Sequence, residues 1–561
     1  MKQIKSSLLW TALIVFISAT ILLTSCQKEE HLITTTTTEN AVTENLFSRE
    51  GSDSIPYVEG SMTVISKGKN PYSVTNMKTA WDYLSSNGVN TTISGAQVKT
   101  THYYVKFKPK DADQYEQLHS DTTLDFADYP IESNVLQNGD YYHDPSLPDS
   151  VPTYQYTAVK TNYQFPNDIA YEIIDNLYIP ETDELFQYEN GGTQDLYVDN
   201  LLNRAYTQTG NYEDTIDLAN YTEIYGRRYT PGGRIRVFDT RLSSWIGMEG
   251  VRVQARRWFI VYKGYPDFNG NYRMNHSYKR PCNYSIWFAR DRFSIRQNLV
   301  NTTYWINGPK QKNDWNYDLS QNGYQQFAGH VFRGAYRYHQ KDIGGLQRPN
   351  RWLNRRTVYI AKNDYGDNSG VNWIVFPVIK IWRYENSKKD REYESDEIFS
   401  TTCHETAHTS HVITMNAGPI QYWQVTRQIQ ESWPVAVEWF LSHIEYNDRG
   451  VANYGEWNYH PNNPPQYPND YAFQYWNING YSDKYTSLFI NLVDNHNEQG
   501  RNYLGYGTGQ VNDQVSGYTL ADIENRILKH CYGLSSLGTQ LKSIRPAGIT
   551  DAQIDLLLSF Y

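Results

Sequence analysis

Short runs that alternate apolar and polar residues fill much of the first half of this chain, and longer runs with helical spacing mark its last third. Arg234-Ile235-Arg236-Val237-Phe238 and Val251-Arg252-Val253-Gln254-Ala255 send every second side chain to one face, the period of a strand. Turn signals at Asp267-Phe268-Asn269-Gly270-Asn271 and Lys279-Arg280-Pro281 separate such runs, and Tyr284-Ser285-Ile286-Trp287-Phe288 closes the series. This spacing predicts a small β-sandwich over residues 231–298. Upstream, Thr101 to Phe107 reads as a strand, Asp111 to Leu118 as a short helix, and Gly139 to Pro145 as a turn-rich loop. Residues 56–230 therefore predict an accessory α+β region: a binding module, an inhibitory pro-segment or, by default, scaffold. Downstream, Phe327 to Tyr338 has helical spacing, and Thr357 to Ala361 and Trp373 to Trp382 read as strands. Further helices are expected over Ile398 to Met415, Glu431 to about Tyr446, Lys484 to Asn497, Leu520 to Cys531 and Asp551 to Tyr561. The fold class is multidomain α+β, with a mainly helical C-terminal domain over 299–561.

The N-terminus reads as an address and not as structure. Lys2 and Lys5 precede an apolar run from Leu8 to Leu23, which ends in Leu23-Thr24-Ser25-Cys26. Residues 1–26 resemble a bacterial lipoprotein signal, with Cys26 as the lipidated first residue of the mature chain. The run is short for a span, which needs about 20 apolar residues. Gln27-Lys28-Glu29-Glu30 resembles the acidic tag of surface-exposed lipoproteins of Bacteroidota. The polar stretch 27–55 cannot bury enough surface to fold and predicts a tether. Together these imply an outer-membrane lipoprotein facing the cell surface, held to the membrane by its N-terminal lipid alone. The net charge of −10 carries no basic patch, which argues against a nucleic-acid partner. Cys282, Cys403 and Cys531 are too few and too scattered for a disulfide framework. A monomer is expected.

The chemistry concentrates in Thr402-Cys403-His404-Glu405-Thr406-Ala407-His408. Residues four apart lie one turn above each other on a helix, so His404 and His408 can grip one metal ion. Glu405 turns beside that face, where a carboxylate can take the proton of a water that zinc has made acidic. Ser395-Asp396-Glu397 reads as a helix start, a small polar cap followed by acids in the first turn, and no proline or glycine interrupts Ile398 to Met415. A catalytic zinc takes a third protein ligand. His411 shares the face but stands seven residues from His404, roughly 10 Å along the axis at about 1.5 Å per residue. It is expected behind the ligands, facing substrate or simply exposed, the last being favoured. Glu431, at the start of the next helical run, is the better candidate, with Glu438 two turns on to hold a ligand histidine or to serve as a plain helix carboxylate.

H-E-x-x-H on one helix with a glutamate on the next resembles the gluzincin arrangement of zinc metallopeptidases, over roughly Ser395 to Tyr446. The resemblance implies a zincin-like domain with one zinc ion per chain, His404, His408 and Glu431 as its ligands and Glu405 as general base. It also implies a histidine or tyrosine that steadies the oxyanion; Tyr485, His496 and Tyr518 are candidates. The chain departs from the pattern in two places: N-E-x-x-x-D is absent after the helix, and Pro434 falls near the start of the second run, where proline is tolerated. Gly250-Val251-Arg252-Val253 resembles carboxypeptidase regulatory-like sandwiches, a spacer or docking module. The expected function is a membrane-anchored zinc endopeptidase acting on protein, peptide or glycoprotein substrates, with an extended substrate beside Trp373-Ile374-Val375-Phe376. The alternative is a non-catalytic surface lipoprotein that binds glycan or protein, through aromatics such as Trp423, Tyr454, Trp457, Tyr459 and Tyr467.

Overall fold

The computed structural model describes residues 58, 60–66, 68–89, 97–183, 193–216, 228–349, 355–366, 371–373, 377–415, 419–451, 454, 484–503 and 507–561. The expected signal segment, Cys26 and the tether lie outside them. The fold is mixed α+β, with helices mostly in the C-terminal part. No helix among the described residues is long and apolar enough to cross a membrane.

The accessory region contains β1 (Thr63–Ser66), α1 (Val74–Ser86), β2 (His102–Lys108), α2 (Ala112–His119), β3 (Ser133–Gln137), β4 (Gln155–Lys160), β5 (Ala170–Leu177) and α3 (Thr193–Thr209). The strand at β2 and the helix at α2 fall where the pattern places them. β2 is the middle of an antiparallel sheet, β4-β2-β5. α2 opens where the Asp111 carboxylate accepts the Gln114 N–H, an N-cap. Its Glu116 is fully buried and accepts hydrogen bonds from Arg296 and Arg356, also buried. Two guanidiniums from later in the chain are thus neutralised by a carboxylate of the accessory helix.

The middle of the chain forms β6 (Gly232–Asp239), β7 (Ser244–Gly247), β8 (Arg252–Arg257), β9 (Ile260–Gly264), β10 (Asn271–Arg273), β11 (Cys282–Trp287), β12 (Phe293–Arg296), β13 (Trp305–Gln311) and β14 (Tyr317–Asp318). One sheet runs β10-β6-β14 with β7 also on β6, and a second runs β13-β11-β8-β9. Their inward residues, among them Ile235, Val237, Val253 and Ile286, share one core with the next helix, α4 (Tyr324–Gln340). That core also takes in Ile295 of β12, Tyr359 of β15 (Thr357–Tyr365) and Ile379 of β17 (Pro377–Tyr384). Apolar packing therefore continues across the sequence positions 298 and 299.

The sheet β12-β15-β17-β16 backs the site: its first three strands are parallel, and β16 (Val371–Trp373) is an antiparallel edge. Ile374, Val375 and Phe376, expected in an edge strand, lie outside the described residues. Helix α5 (Ser395–Thr414) packs against this sheet and against α4. α4 comes close because residue 334 is glycine: a Cβ there would stand 2.7 Å from Thr402 Cβ and 2.9 Å from the Phe399 carbonyl. The short α6 (Pro419–Tyr422) and the long α7 (Arg427–Asp448) follow. α5 and α7 share a buried core with the C-terminal α9 (Leu534–Ser543) and α10 (Asp551–Leu558), through residues such as Trp433, Val437, Leu537 and Ile554.

Three local expectations are corrected. The cap of α5 is Glu394, not Ser395: Glu397 reaches back to the Glu394 N–H at 2.7 Å, while Ser395 Oγ accepts from the Thr240 N–H at 2.9 Å. α7 begins at Arg427, ahead of Glu431, so Pro434 lies inside the helix and leaves the Gln430 carbonyl without its usual helical donor. The helix expected over Lys484 to Asn497 reduces to α8 (Leu488–Asn491). Beyond it, Asp494 and Asn497 side chains accept the backbone N–H groups of His496 and Gln499, an alternative to helical bonding that these residue types offer.

Candidate metal centre

Helical spacing on α5 stacks His404 over His408, with ring centroids 4.9 Å apart. Ligand atoms of His404, Glu405 and His408 all lie within 4.8 Å of one another, so this group could hold a metal ion. α7 packs on α5 and brings Glu431 to the same place. Glu431 Oε2 is 3.7 Å from His404 Nε2 and 3.3 Å from His408 Nε2. Its other oxygen faces Arg427, one helical turn back, at 3.7 Å.

The outer ring nitrogens are occupied. Glu438 Oε1 lies 3.3 Å from His404 Nδ1, and the Tyr422 hydroxyl lies 2.8 Å from His408 Nδ1. A neutral ring that keeps Nδ1 protonated toward these oxygens presents Nε2 as a lone pair toward Glu431, and a charged His404 would release its Nε2 proton when a metal binds. Both imidazoles face Glu431, and Glu405 offers an oxygen within 4.8 Å of ligand atoms of the same two rings. Two imidazole nitrogens and one carboxylate oxygen form a donor set that fits zinc and leaves a fourth position open.

Burial sharpens the electrostatics. His404, Glu405, Glu431 and Glu438 are buried, and His408 is half-buried. Burial alone would lower the His404 pKa, but Glu438, Glu431 and Glu405 outweigh it and raise the ring to about 10. Burial pushes Glu405 up to about 8; His404 opposes the rise, and Glu431 and Glu438 add to it. His408 is lowered, chiefly by burial. Glu431 is held well below the usual carboxylate range: burial opposes this, but the bonds to His404 and His408 prevail. Three carboxylates thus crowd two imidazoles in a site shielded from water, an arrangement that attracts a cation.

The remaining candidates separate. His411 is fully buried, not exposed, and neither ring nitrogen has a hydrogen-bond partner among the described residues. Tyr422, packed edge-on at 5.0 Å, contributes to the wall around His411, and burial drives the His411 pKa down to about 3. Of the oxyanion candidates, Tyr485 has its ring 6.1 Å from that of His404. The Tyr518 hydroxyl instead donates to the Leu541 carbonyl at 2.9 Å, and His496 sits in a separate loop. Cys403 is buried, with Sγ 3.8 Å from the Gly334 carbonyl, and burial raises its pKa, as suits a packing residue. Among the aromatics, Trp423 is 72 % exposed, but Tyr454 is buried and donates to Asp396 at 2.8 Å. Trp457, Tyr459 and Tyr467 lie outside the described residues.

Tyr422 has no signal in the sequence, since nothing in its spacing links it to His408. Tyr422→Phe should weaken zinc affinity by about 10–100-fold, the usual cost of losing a partner that orients a ligand. Competition with a chromogenic chelator would measure this, and wild-type affinity in the variant would remove Tyr422 from the site. Compared with protein-family models, with curated proteins and with solved structures, the chain gives no significant match.

Proposed function

We propose that this chain is a zinc-dependent endopeptidase, tethered to the outer membrane as a lipoprotein and facing the cell surface. The observation that carries the reading is the convergence of His404 Nε2 and His408 Nε2 on one oxygen of Glu431, with Glu405 buried beside them. A zinc ion held by these three residues would polarise the scissile carbonyl and acidify the attacking water. Glu405 takes the proton of that water and returns it to the leaving amine. Glu438 and Tyr422 hold the two imidazoles in the required tautomer. The Tyr485 phenol, 45 % exposed and with its ring 6.1 Å from that of His404, would donate to the developing oxyanion. β16, an edge of the sheet against which α5 packs among the described residues, would pair with an extended peptide.

Metal analysis of the purified chain together with a peptide-library digest tests the proposal. One zinc per chain, lost in His404→Ala, and chelator-sensitive cleavage are expected. A wild type that takes up no zinc when supplied with it, or that holds zinc and cleaves nothing, would overturn the peptidase reading and favour a binding lipoprotein.

The tether has its own test. Cys26→Ser should shift the protein from the membrane fraction to the soluble fraction or leave the precursor uncleaved. Protease shaving of intact cells should remove the wild-type protein; protection in intact but not lysed cells would place it in the periplasm.

A further inference from the structure

A second cluster of acids lies apart from the His404 site, where two loops close on each other after α8. Asn497 Nδ2 donates to Asn512 Oδ1 at 3.0 Å, and the Gly500 N–H donates to the Gly509 carbonyl at 3.0 Å. Gly509 permits this closure, because a Cβ there would stand 2.2 Å from the Glu498 carbonyl oxygen. The closure sets the loop of Glu498 against the loop of Asp513, the neighbours of the two asparagines. Glu498 is 0 % exposed and Asp513 is 5 % exposed. Among the described residues, neither side-chain oxygen of Glu498 has a hydrogen-bond partner, and neither does Oδ2 of Asp513. The other oxygen of Asp513 accepts the Val515 N–H at 2.9 Å.

The leading charges on this pair are of its own sign. Asp494 acts on both carboxylates and Asp513 on Glu498, while the groups that temper them, the Asn491 side chain and the backbone of Glu498 and Val515, are neutral. Arg501, exposed on the same loop, turns its Nε to the Asn497 carbonyl at 3.4 Å. Two buried carboxylates with no hydrogen bond to three of their four oxygens are costly unless a proton or a cation compensates them.

We propose that the loops 494–500 and 509–515 bind one calcium ion, with Glu498 and Asp513 as its anionic ligands and Asp494 adding charge at the rim. An all-oxygen donor set selects a hard cation. A fully buried glutamate with both oxygens available suits the large, irregular shell of calcium; magnesium would retain several waters. The site is independent of the peptidase reading. Because α8 packs on α7, the ion would stiffen the segment beside the helix that carries Glu431.

Equilibrium dialysis with radioactive calcium on the purified full chain tests this. Wild type should take up one calcium per chain with an affinity no weaker than about 10⁻⁴–10⁻³ M, the range of extracellular modules. Saturating calcium should raise its melting temperature by several degrees. Glu498→Gln and Asp513→Asn should each weaken uptake at least about tenfold, the effect of removing one anionic ligand, while far-UV circular dichroism and zinc content stay at wild-type values. If Glu498→Gln does not fold, Asp513→Asn decides. Absence of uptake in wild type well above that range, wild-type uptake in the folded variants, or equal affinity for magnesium would overturn the proposal. If a proton compensates the pair instead, Glu498→Gln leaves stability unchanged and calcium has no effect, which also overturns it.

Discussion

Glu405→Gln should lower peptide hydrolysis by about 10²–10⁴-fold, the usual weight of a general base, and further if the same group also protonates the leaving amine. The substitution keeps the shape of the side chain and removes only its proton chemistry. His404 and His408 keep their partners Glu438, Tyr422 and Glu431, so zinc content and melting temperature should stay near wild type. Turnover of a cleavable peptide found in the library digest, measured beside metal content on the same preparation, separates a lost base from a lost ligand. Undiminished cleavage in Glu405→Gln would sink the mechanism. Loss of the metal in Glu405→Gln would mean that Glu405 is a ligand, as its presence within 4.8 Å of both histidines allows, and that Glu431 has another task.

Glu445→Ala should produce the largest loss of stability, about 3–5 kcal/mol, the cost of removing one partner from a buried ion cluster. Glu445 sits on α7 and accepts hydrogen bonds from Arg333 and Arg337 of α4 and from Arg449, with Lys341 Nζ 3.9 Å away. All of these groups except Lys341 have nearly buried side chains, so the variant would leave three guanidiniums crowded together without their common counter-ion. Burial opposes ionisation of Glu445, but Arg449, Arg333 and Arg337 hold its pKa well below the ordinary value. A carboxylate depressed in the folded state stabilises above its unfolded pKa, about 4.3, and that contribution is lost as pH falls through the depressed folded value. Wild type should therefore lose stability relative to Glu445→Ala only in acid, below about pH 4. Denaturant melts at neutral and acid pH would show the gap narrowing, and a gap that stays constant with pH would refute the ionic origin of the effect.

The sequence by itself determined the local part of the site. Period and spacing place His404, Glu405 and His408 on one helix, because a helix relates residues four apart through short-range geometry alone. The same logic located β2, β6, β8, β11, α2 and α4, whose apolar periods are strong. It failed where side chains compete with the backbone, as in the short α8, and where tertiary burial sustains a proline inside α7. Glu431 was legible only as a glutamate on the next helix; its contact with both Nε2 atoms required α5 and α7 to pack at one register. Tyr422, the place of Tyr485 beside His404, and the burial of His411 were decided by tertiary structure alone. The same holds for the closure of the Glu498 loop on the Asp513 loop, where Asn497 meets Asn512. These groups come from segments joined by loops, and no periodic pattern records how a loop closes. Their environment, and hence their chemistry, exists only once the core has packed around them.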